Sequence, residues 1–271
     1  PMVAASQLIH AIQFSPNGPI QGHEEDNLNL FKSVINVHSS GTYEAREKLF
    51  QVAPKIAKAK FPPSTITAYL EYTRAQVKEQ LRETPNDARY FALGGNCFQQ
   101  LGLYQESIDL LKRAHELSPK KQTITMALGS SYLGLGMKNE ALTTLKESYE
   151  TYPKNENAKH VYALTAVYND RLDIVKELYG TELIMDKRFL RAYRDTKHFD
   201  LMLAYLQSDN KTKNSTRSRI SLGLGYWIAG RSEQALTLFQ SILMTSTDAD
   251  IRKEVQRFID EVNQGKAPTF Q

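Results

Sequence analysis

The chain has a single cysteine, Cys97, among its 271 residues. One thiol cannot form a disulfide within the chain, so cysteine usage does not indicate a compartment. No apolar stretch reaches the roughly 18 to 20 residues that a membrane helix needs, and no charged start followed by an apolar run marks a signal peptide. The sequence begins at Pro1 without an initiator methionine, so we expect it to be a fragment of a longer protein.

The sequence also lacks the motifs of most catalytic and cofactor sites. Its six histidines never fall two within a helical turn, and it has no His-Glu-x-x-His, no paired cysteines and no Gly-rich phosphate loop. The His-Glu-Glu-Asp string at 23–26 is better explained by an acidic helix start than by a metal site. Cys97 has no histidine in its element, which favours a packed thiol over a nucleophile. These absences predict a chain that is not an enzyme and has no catalytic residue, cofactor or metal.

Charge is unevenly distributed along the chain. The net charge is +4, with 41% hydrophobic and 24% charged residues, as in an ordinary globular protein. Residues 186–219 hold nine Lys/Arg against four Asp, a local +5, so the remainder is about neutral. This stretch fits either an anionic partner, such as nucleic acid, lipid headgroups or acidic polysaccharide, or a solvated helix face and loop. The second interpretation is favoured, so nucleic acid is not the expected partner.

Prolines and glycines recur at a fixed interval of 34 residues. The positions are Pro85, Pro119 and Pro153, with Gly95 and Gly102 recurring as Gly129 and Gly136. A small residue lets two helices cross closely, and a glycine at a helix end adopts a left-handed turn at little cost. A proline restricts the residue before it, so the chain turns into the next helix. This is the 34-residue tetratricopeptide pattern of paired helices, A and B.

The repeat predicts an all-α fold, a right-handed α-solenoid of antiparallel helix pairs with about 11–13 helices. We divide the chain into an N-terminal helical region packing on the repeats (1–84), two clear repeat units (85–153), degenerate helical repeats (154–207), a C-terminal repeat-like unit with a capping helix (208–264) and a disordered tail (265–271). Within these regions, 4–14 is expected to form a short helix and the polar segment 208–218 an exposed loop. Asp170 stands where the third unit would have its turn glycine.

The A helices of such repeats line an inner, concave surface where a ligand would bind. The inward positions predicted to bind ligand are Arg89, Asn96, Gln99, Gln100, Met126, Ser130, His160, Tyr168 and Trp227. The amides among them could bond a peptide backbone or sugar hydroxyls. Trp227 either stacks on a sugar or apolar ligand or packs between helices, and packing is favoured. Ala92 and Met126 stand where a clamp for a peptide's terminal carboxylate needs basic residues, so no such clamp is expected.

Four strings in the first half of the chain point to a narrower family. They are Asn-Leu-Asn-Leu-Phe-Lys at 27–32, Gly-Thr-Tyr-Glu-Ala-Arg-Glu at 41–47, Pro-Asn-Asp-Ala-Arg at 85–89 and Leu-Ser-Pro-Lys-Lys-Gln at 117–122. Over roughly residues 5–180 the chain resembles the C-terminal repeat region of bacterial O-antigen ligase/polymerase-like membrane proteins. The resemblance implies an extracytoplasmic domain tethered near a glycan-assembling site. It carries no catalytic residue onto this chain, because the membrane segments and active-site loops of those proteins have no counterpart here.

The sequence therefore predicts a non-catalytic protein–protein interaction or scaffold module that binds a protein or peptide in bacterial surface-glycan assembly. The alternative is a module that holds a glycan or acidic polymer for a glycosyl-transfer site elsewhere in the parent protein. A membrane would be reached only through missing segments of that parent. The expected location is the extracytoplasmic side of a bacterial membrane if the resemblance holds, and the cytoplasm otherwise.

Overall fold

A computed structural model describes residues 24–37, 41–213 and 215–268. Within these ranges the chain forms 14 helices and no strand, which confirms the all-α prediction and exceeds the expected 11–13 helices. The helices are α1 (Glu24–Asn36), α2 (Thr42–Lys58), α3 (Pro63–Glu83), α4 (Ala88–Gln100), α5 (Tyr104–Leu117), α6 (Gln122–Gly134), α7 (Lys138–Thr151), α8 (Glu156–Tyr168), α9 (Leu172–Tyr179), α10 (Lys187–Asp195), α11 (Phe199–Lys213), α12 (Thr216–Ile228), α13 (Ser232–Thr245) and α14 (Ala249–Asn263). In those same ranges no helix is both long and apolar enough to cross a membrane. The helix expected at 4–14 lies outside the described residues.

The chain divides into two compact units, unit 1 up to Tyr162 and unit 2 from Ala163. Helices α1 to α3 of unit 1 enclose an apolar cluster in which Phe31, Leu49 and Tyr69 are fully buried. The Tyr69 hydroxyl donates to Asn27 Oδ1 at 2.6 Å, so the polar end of this buried ring is satisfied. The same cluster includes Cys97 and Phe98 of α4, so the N-terminal helices share their core with the first regular repeat.

The two regular repeats of unit 1 depend on close helix crossings. A Cβ built on Gly95 of α4 would lie 2.6 Å from Leu111 Cγ of α5, and one on Gly129 of α6 would lie 2.5 Å from Leu145 Cγ of α7. Because real Cβ atoms do not approach other carbons so closely, only glycine lets each B helix pack at this distance. The predicted role of these two glycines is confirmed.

One turn type joins the A and B helices of five successive pairs, from α4/α5 to α12/α13. The residue after each A helix's C-cap has a positive φ: Gly102 (75°), Gly136 (83°), Asp170 (61°), Lys197 (61°) and Gly230 (73°). In every turn the next amide donates to a carbonyl five residues earlier, as in Leu103 to Phe98, Met137 to Tyr132, Arg171 to Ala166, His198 to Tyr193 and Arg231 to Tyr226, at 2.8–2.9 Å. This bond is the signature of the Schellman motif. The pair α10/α11 is therefore a repeat of the same kind, although it has no turn glycine.

The segment 208–218, predicted to be an exposed loop, is mostly helical, so that prediction is wrong. Helix α11 runs to Lys213, and α12 begins at Thr216 after the N-cap Ser215. The Thr212 hydroxyl bonds back to the Ser208 carbonyl at 3.0 Å, within the helix. The side chains of Ser215 and Ser218 cap each other's backbone amides, both at 3.1 Å. The polar composition therefore marks an exposed helix end and a cap rather than a loop.

The chain remains ordered beyond the last helix, over residues 265–268. Gly265 turns with a φ of 67°, and the Lys266 amide donates to the Glu261 carbonyl at 3.0 Å. The Lys266 carbonyl in turn accepts the indole N–H of Trp227 at 3.1 Å. This part of the expected disordered tail is thus fixed against α12, while 269–271 lie outside the described residues.

Candidate functional site

Unit 2 contains a groove of about 480 Å³ between α10 and α12, lined also by α11. We call it the basic groove. It is lined by Lys187, Leu190, Arg191, Arg194, Met202, Tyr205, Leu206, Asp209, Ser215, Arg217, Ser218, Ser221, Leu224, Gly225 and Ile228. Its volume falls within the roughly 300–1,000 Å³ typical of ligand sites.

Helix α10 supplies one wall with a single face of four residues. Lys187, Leu190, Arg191 and Arg194 follow the i, i+3, i+4, i+7 spacing that brings side chains to the same side of a helix. The N-cap Asp186 fixes the start of this helix, since its carboxylate accepts from the Arg188 amide at 2.7 Å. Three cations therefore project along one edge of the groove.

The floor of the groove is apolar and tightly packed. Met202 and Leu206 of α11 are almost fully buried. Gly225 of α12 lies against Leu206, because a Cβ there would be 2.4 Å from Leu206 Cδ1. Leu224 and Ile228 of α12 are half-buried and complete the apolar surface. A ligand in the groove would thus meet carbon below and cations at the rim.

The four cations that line the groove differ in their partners. Lys187 and Arg191 are exposed and make no ion pair within the described part of the chain. Arg194 Nη2 lies 2.8 Å from Asp195 Oδ1, and Arg217 Nη1 lies 2.9 Å from Glu254 Oε2. Four cations and one carboxylate, that of Asp209, line the groove, so its formal charge is +3.

Tyr168, one of the predicted ligand-binding residues, lies near the α10 side of this groove. Burial raises the pKa of its hydroxyl, and the Asp195 carboxylate raises it further, whereas Arg191 and Arg194 lower it. The ring is half-buried and thus within electrostatic range of two groove arginines. Tyr168 is thus a predicted residue whose electrostatic neighbours include groove residues.

Comparison with solved structures identifies the fold. A tetratricopeptide repeat protein from Parabacteroides merdae matches with a TM-score of 0.60 and 12% identity, over 96% of this chain and 100% of that chain. This chain has the tetratricopeptide-repeat fold. Two further matches are YrrB, a tetratricopeptide protein with an unusual peptide-binding site (TM-score 0.41, 14% identity, 67% of this chain and 97% of that one), and pilF of Pseudomonas aeruginosa (0.42, 13%, 95% and 98%).

No protein-family model and no curated protein matches the sequence. The structural likeness, at these identities, concerns the fold alone. It supports the tetratricopeptide part of the sequence interpretation and gives no support to the narrower O-antigen ligase/polymerase-like resemblance.

The tetratricopeptide register shows why the basic groove was missed in the sequence. Arg194, Arg191 and Lys187 lie three, six and ten residues before the left-handed Lys197. Gln99, Asn96 and Ala92 hold the same positions before Gly102. The inward register predicts binding residues on α4, α6, α8 and α12 and none on α10, whose turn residue is Lys197 in place of glycine. The three basic residues of α10 therefore have the spacing of inward positions and could have been found from the sequence.

The predicted residues of α4 are placed on or near the surface of unit 1. Arg89 is exposed, pairs with Glu47 of α2 and lies over the Tyr90 ring, 5.5 Å from its centroid. Asn96 is half-buried and Gln100 exposed.

The Gln99 amide is already engaged between helices. Its Nε2 donates to the Ala127 carbonyl at 2.8 Å and to Ser131 Oγ at 2.7 Å, so it joins α4 to α6. Ser131 also bonds Ser107 at 2.9 Å, and the Ser107 hydroxyl donates to the Gly95 carbonyl at 2.8 Å. Gln99 therefore belongs to a buried polar network that the sequence pattern did not reveal.

The other predicted residues are divided between the units. Met126 and Ser130 are half-buried on α6, and His160 is half-buried on α8, all in unit 1. Trp227 is 6% exposed in the core of unit 2, where its ring lies edge-on to Phe258, with centroids 6.3 Å apart. The packing interpretation thus describes the position of Trp227, and its ring face does not reach the groove.

No group of three or more His, Cys, Asp or Glu side chains in residues 24–37, 41–213 and 215–268 is placed to hold a metal ion. Cys97 is 2% exposed, and burial raises the pKa of its thiol to about 12. Since the thiolate is the nucleophile, this environment suppresses its reactivity.

Proposed function

We propose that the chain is a non-catalytic interaction module that binds a segment of a partner protein in the basic groove. The observation that carries the proposal is the groove itself, which combines an apolar floor, an open face and unpaired cations on consecutive turns of α10. Apolar contact supplies affinity, and a few placed charges supply specificity. The groove also lies on the A-helix positions with which tetratricopeptide repeats form their binding surfaces.

A protein segment fits this site better than a glycan. The glycan alternative relied on surface amides and on a tryptophan free to stack on a sugar. Gln99 instead bonds α6, and the Trp227 indole is buried with its N–H bonded to Lys266. Titration calorimetry with oligosaccharides tests this alternative, and binding that is lost in Asn96→Ala would restore it.

Selection of peptides from a random display library tests the proposal directly. Ser221 of α12 is exposed and lines the groove, so Ser221→Trp should fill it without removing a core side chain. Thr237→Trp is the matched control, because Thr237 is an exposed hydroxyl residue on α13 that also bonds the carbonyl four residues earlier. Selected peptides should bind the unmodified chain and Thr237→Trp but lose at least about tenfold in affinity for Ser221→Trp.

Two results of this selection would contradict the proposal. If no peptide is enriched, the chain is not a peptide-binding module. If enriched peptides bind Ser221→Trp as well as Thr237→Trp, the binding site lies elsewhere. Circular dichroism of both variants establishes that each remains helical.

The resemblance to O-antigen ligase/polymerase-like proteins supports a narrower proposal about context. On that proposal the module belongs to a membrane protein of bacterial surface-glycan assembly and lies on the extracytoplasmic side. Translation of the DNA upstream of Pro1 tests it. A series of membrane helices in frame would support the proposal, and a short soluble reading frame would refute it and favour a cytoplasmic adaptor.

A further inference from the structure

We infer that the segment bound in the basic groove is acidic, and that Glu254 competes with it for Arg217. This inference rests on the proposed function and specifies the chemistry of the ligand. The inference arises from how the groove cations are paired. Lys187 and Arg191 have no carboxylate partner within the described residues, and Arg217 pairs with Glu254 on another helix.

The groove cations of α10 are spaced to receive neighbouring carboxylates. Lys187 and Arg191 lie four residues apart on α10, and Arg191 and Arg194 three apart, which sets their Cβ atoms about 5–6 Å from one another. Acidic side chains on one face of a bound segment have a similar separation. A guanidinium also binds a carboxylate through two parallel hydrogen bonds, which favours arginine for this recognition.

The floor of the groove distinguishes an acidic peptide from other polyanions. Single-stranded nucleic acid binds to basic channels in which exposed aromatic rings stack on the bases. Here Tyr205 is 5% exposed and Trp227 is 6% exposed, so neither ring offers a stacking surface. Leu224 and Ile228 instead present an aliphatic surface suited to leucine-like side chains. The ligand is thus expected to combine carboxylates with apolar residues.

Arg217 is held from outside the groove. Its Nη1 lies 2.9 Å from Glu254 Oε2 of α14, and the two side chains are 70% and 33% exposed. Glu254 does not line the groove, although Arg217 does. A ligand carboxylate that approaches Arg217 must therefore displace or share the Glu254 contact. Removing the Glu254 charge should therefore strengthen binding, because Arg217 would then be available to the ligand.

The composition of selected peptides provides the first test. Display selection against the unmodified chain should enrich peptides that carry at least two Asp or Glu together with Leu, Ile or Phe. Enrichment of neutral or basic peptides in the groove would overturn the acidic inference and leave the proposed function standing. Failure to enrich any peptide would instead contradict the proposed function itself, so the two failures are distinguishable.

Fluorescence anisotropy with one enriched, labelled peptide provides the second test. Arg191→Ala should weaken binding about tenfold, because a hydrogen-bonded charge is lost. The matched control is Arg188→Ala on the same helix, whose guanidinium pairs with Asp186 at 3.0 Å outside the groove and should leave affinity unchanged. Equal effects of the two substitutions would show that net charge, and not the groove, determines affinity.

Glu254→Gln should tighten binding about two- to fivefold, as expected when a surface ion pair no longer competes. Asp200→Asn is its control, because Asp200 pairs with Arg231 at 2.6 Å on the same unit but away from the groove. Unchanged or weaker binding in Glu254→Gln would overturn the competition.

Competition with nucleic acid provides the last test. An unlabelled thymidine oligonucleotide that displaced the labelled peptide at lower concentration than the unlabelled peptide does would identify the groove as a nucleic-acid site and refute the acidic-peptide inference.

Discussion

Replacing Arg46 with methionine is expected to destabilise unit 1 by about 3 kcal/mol. Arg46 of α2 is 1% exposed, and its guanidinium is surrounded by acceptors from α3. Nε donates to Gln76 Oε1 at 3.0 Å and Nη1 to Gln80 Oε1 at 3.2 Å. Nη1 and Nη2 bind the two oxygens of Glu83 at 2.8 and 3.2 Å, which forms a bidentate pair.

The loss in the free energy of unfolding depends on whether the substitution leaves an unpaired buried charge. Breaking a buried ion pair costs about 3–5 kcal/mol, since the remaining charge is desolvated without a partner. Glu83 is 24% exposed and can regain some water, so Arg46→Met falls at the lower end. Glu83→Gln leaves the guanidinium with almost no solvent and should cost at least as much. The double substitution removes both charges and should cost about 1–3 kcal/mol less than the sum of the two.

Urea unfolding followed by circular dichroism measures these costs, and hydrogen exchange shows whether α2 and α3 are the helices that open. Arg82→Met is the matched control on α3, because Arg82 is 72% exposed and its pairing with Glu79 at 2.6 Å is a surface contact that should contribute little to stability. The reasoning fails if Arg46→Met costs no more than Arg82→Met, or if the two single costs simply add in the double variant.

Four further substitutions test the repeat geometry and the core. Gly129→Ala should lower the free energy of unfolding by about 1–3 kcal/mol despite its better helix propensity, because its Cβ would lie 2.5 Å from Leu145 Cγ; a stabilised variant in urea would refute the close crossing. Lys197→Gly should raise stability by about 0.5–1 kcal/mol and Gly102→Ala should lower it, since both positions have a positive φ; thermal melting that shifts the same way in both would contradict this. The Cys97 thiol should react with a disulfide reagent only on unfolding. Burial raises the pKa of this thiol in the folded chain from 9.0 to about 12, so the free energy of unfolding should fall as pH rises through this range. Cys97→Ala should diminish that fall.

The regular part of the fold could be predicted because its constraints act at single positions with fixed spacing. Gly95 and Gly129 are required by side-chain contacts under 3 Å, so each repeat shows them. Asp170 and Lys197 adopt the same left-handed turn without a glycine. Any residue's backbone can make the amide-to-carbonyl bond that closes this turn, so glycine lowers its cost but is not required. The third and fourth pairs are therefore predicted only as degenerate helical repeats, although their turns have the same geometry as those of the clear units.

Segment 208–213 illustrates a second limit of sequence reasoning. Its Asn, Lys and Thr residues favour a loop by composition, but the helix is determined by the buried side of α11, where Met202 and Leu206 pack. Local propensity is weak compared with such burial, so the helix continues through polar residues to its cap. Likewise, Gln99 has the spacing of a surface position, and only the packed structure shows that its amide bonds α6. For Trp227 the sequence favours packing between helices, and its indole is 6% exposed.

One residue that lines the basic groove departs from the repeat pattern. Seven residues before the left-handed turn residue, α4, α6 and α12 have glycine and α8 has Ala163. Helix α10 has Leu190 at this position. A Cβ at these three glycines would lie 2.5–2.6 Å from a side chain of the B helix, so glycine there lets the B helix approach closely. Leu190 lines the groove together with Leu206 of α11. Leu190→Gly should therefore remove part of the apolar surface of the groove and weaken the binding of a selected peptide, because apolar contact area is lost. Circular dichroism establishes that the variant remains helical, and unchanged peptide affinity would contradict the place of Leu190 in the site.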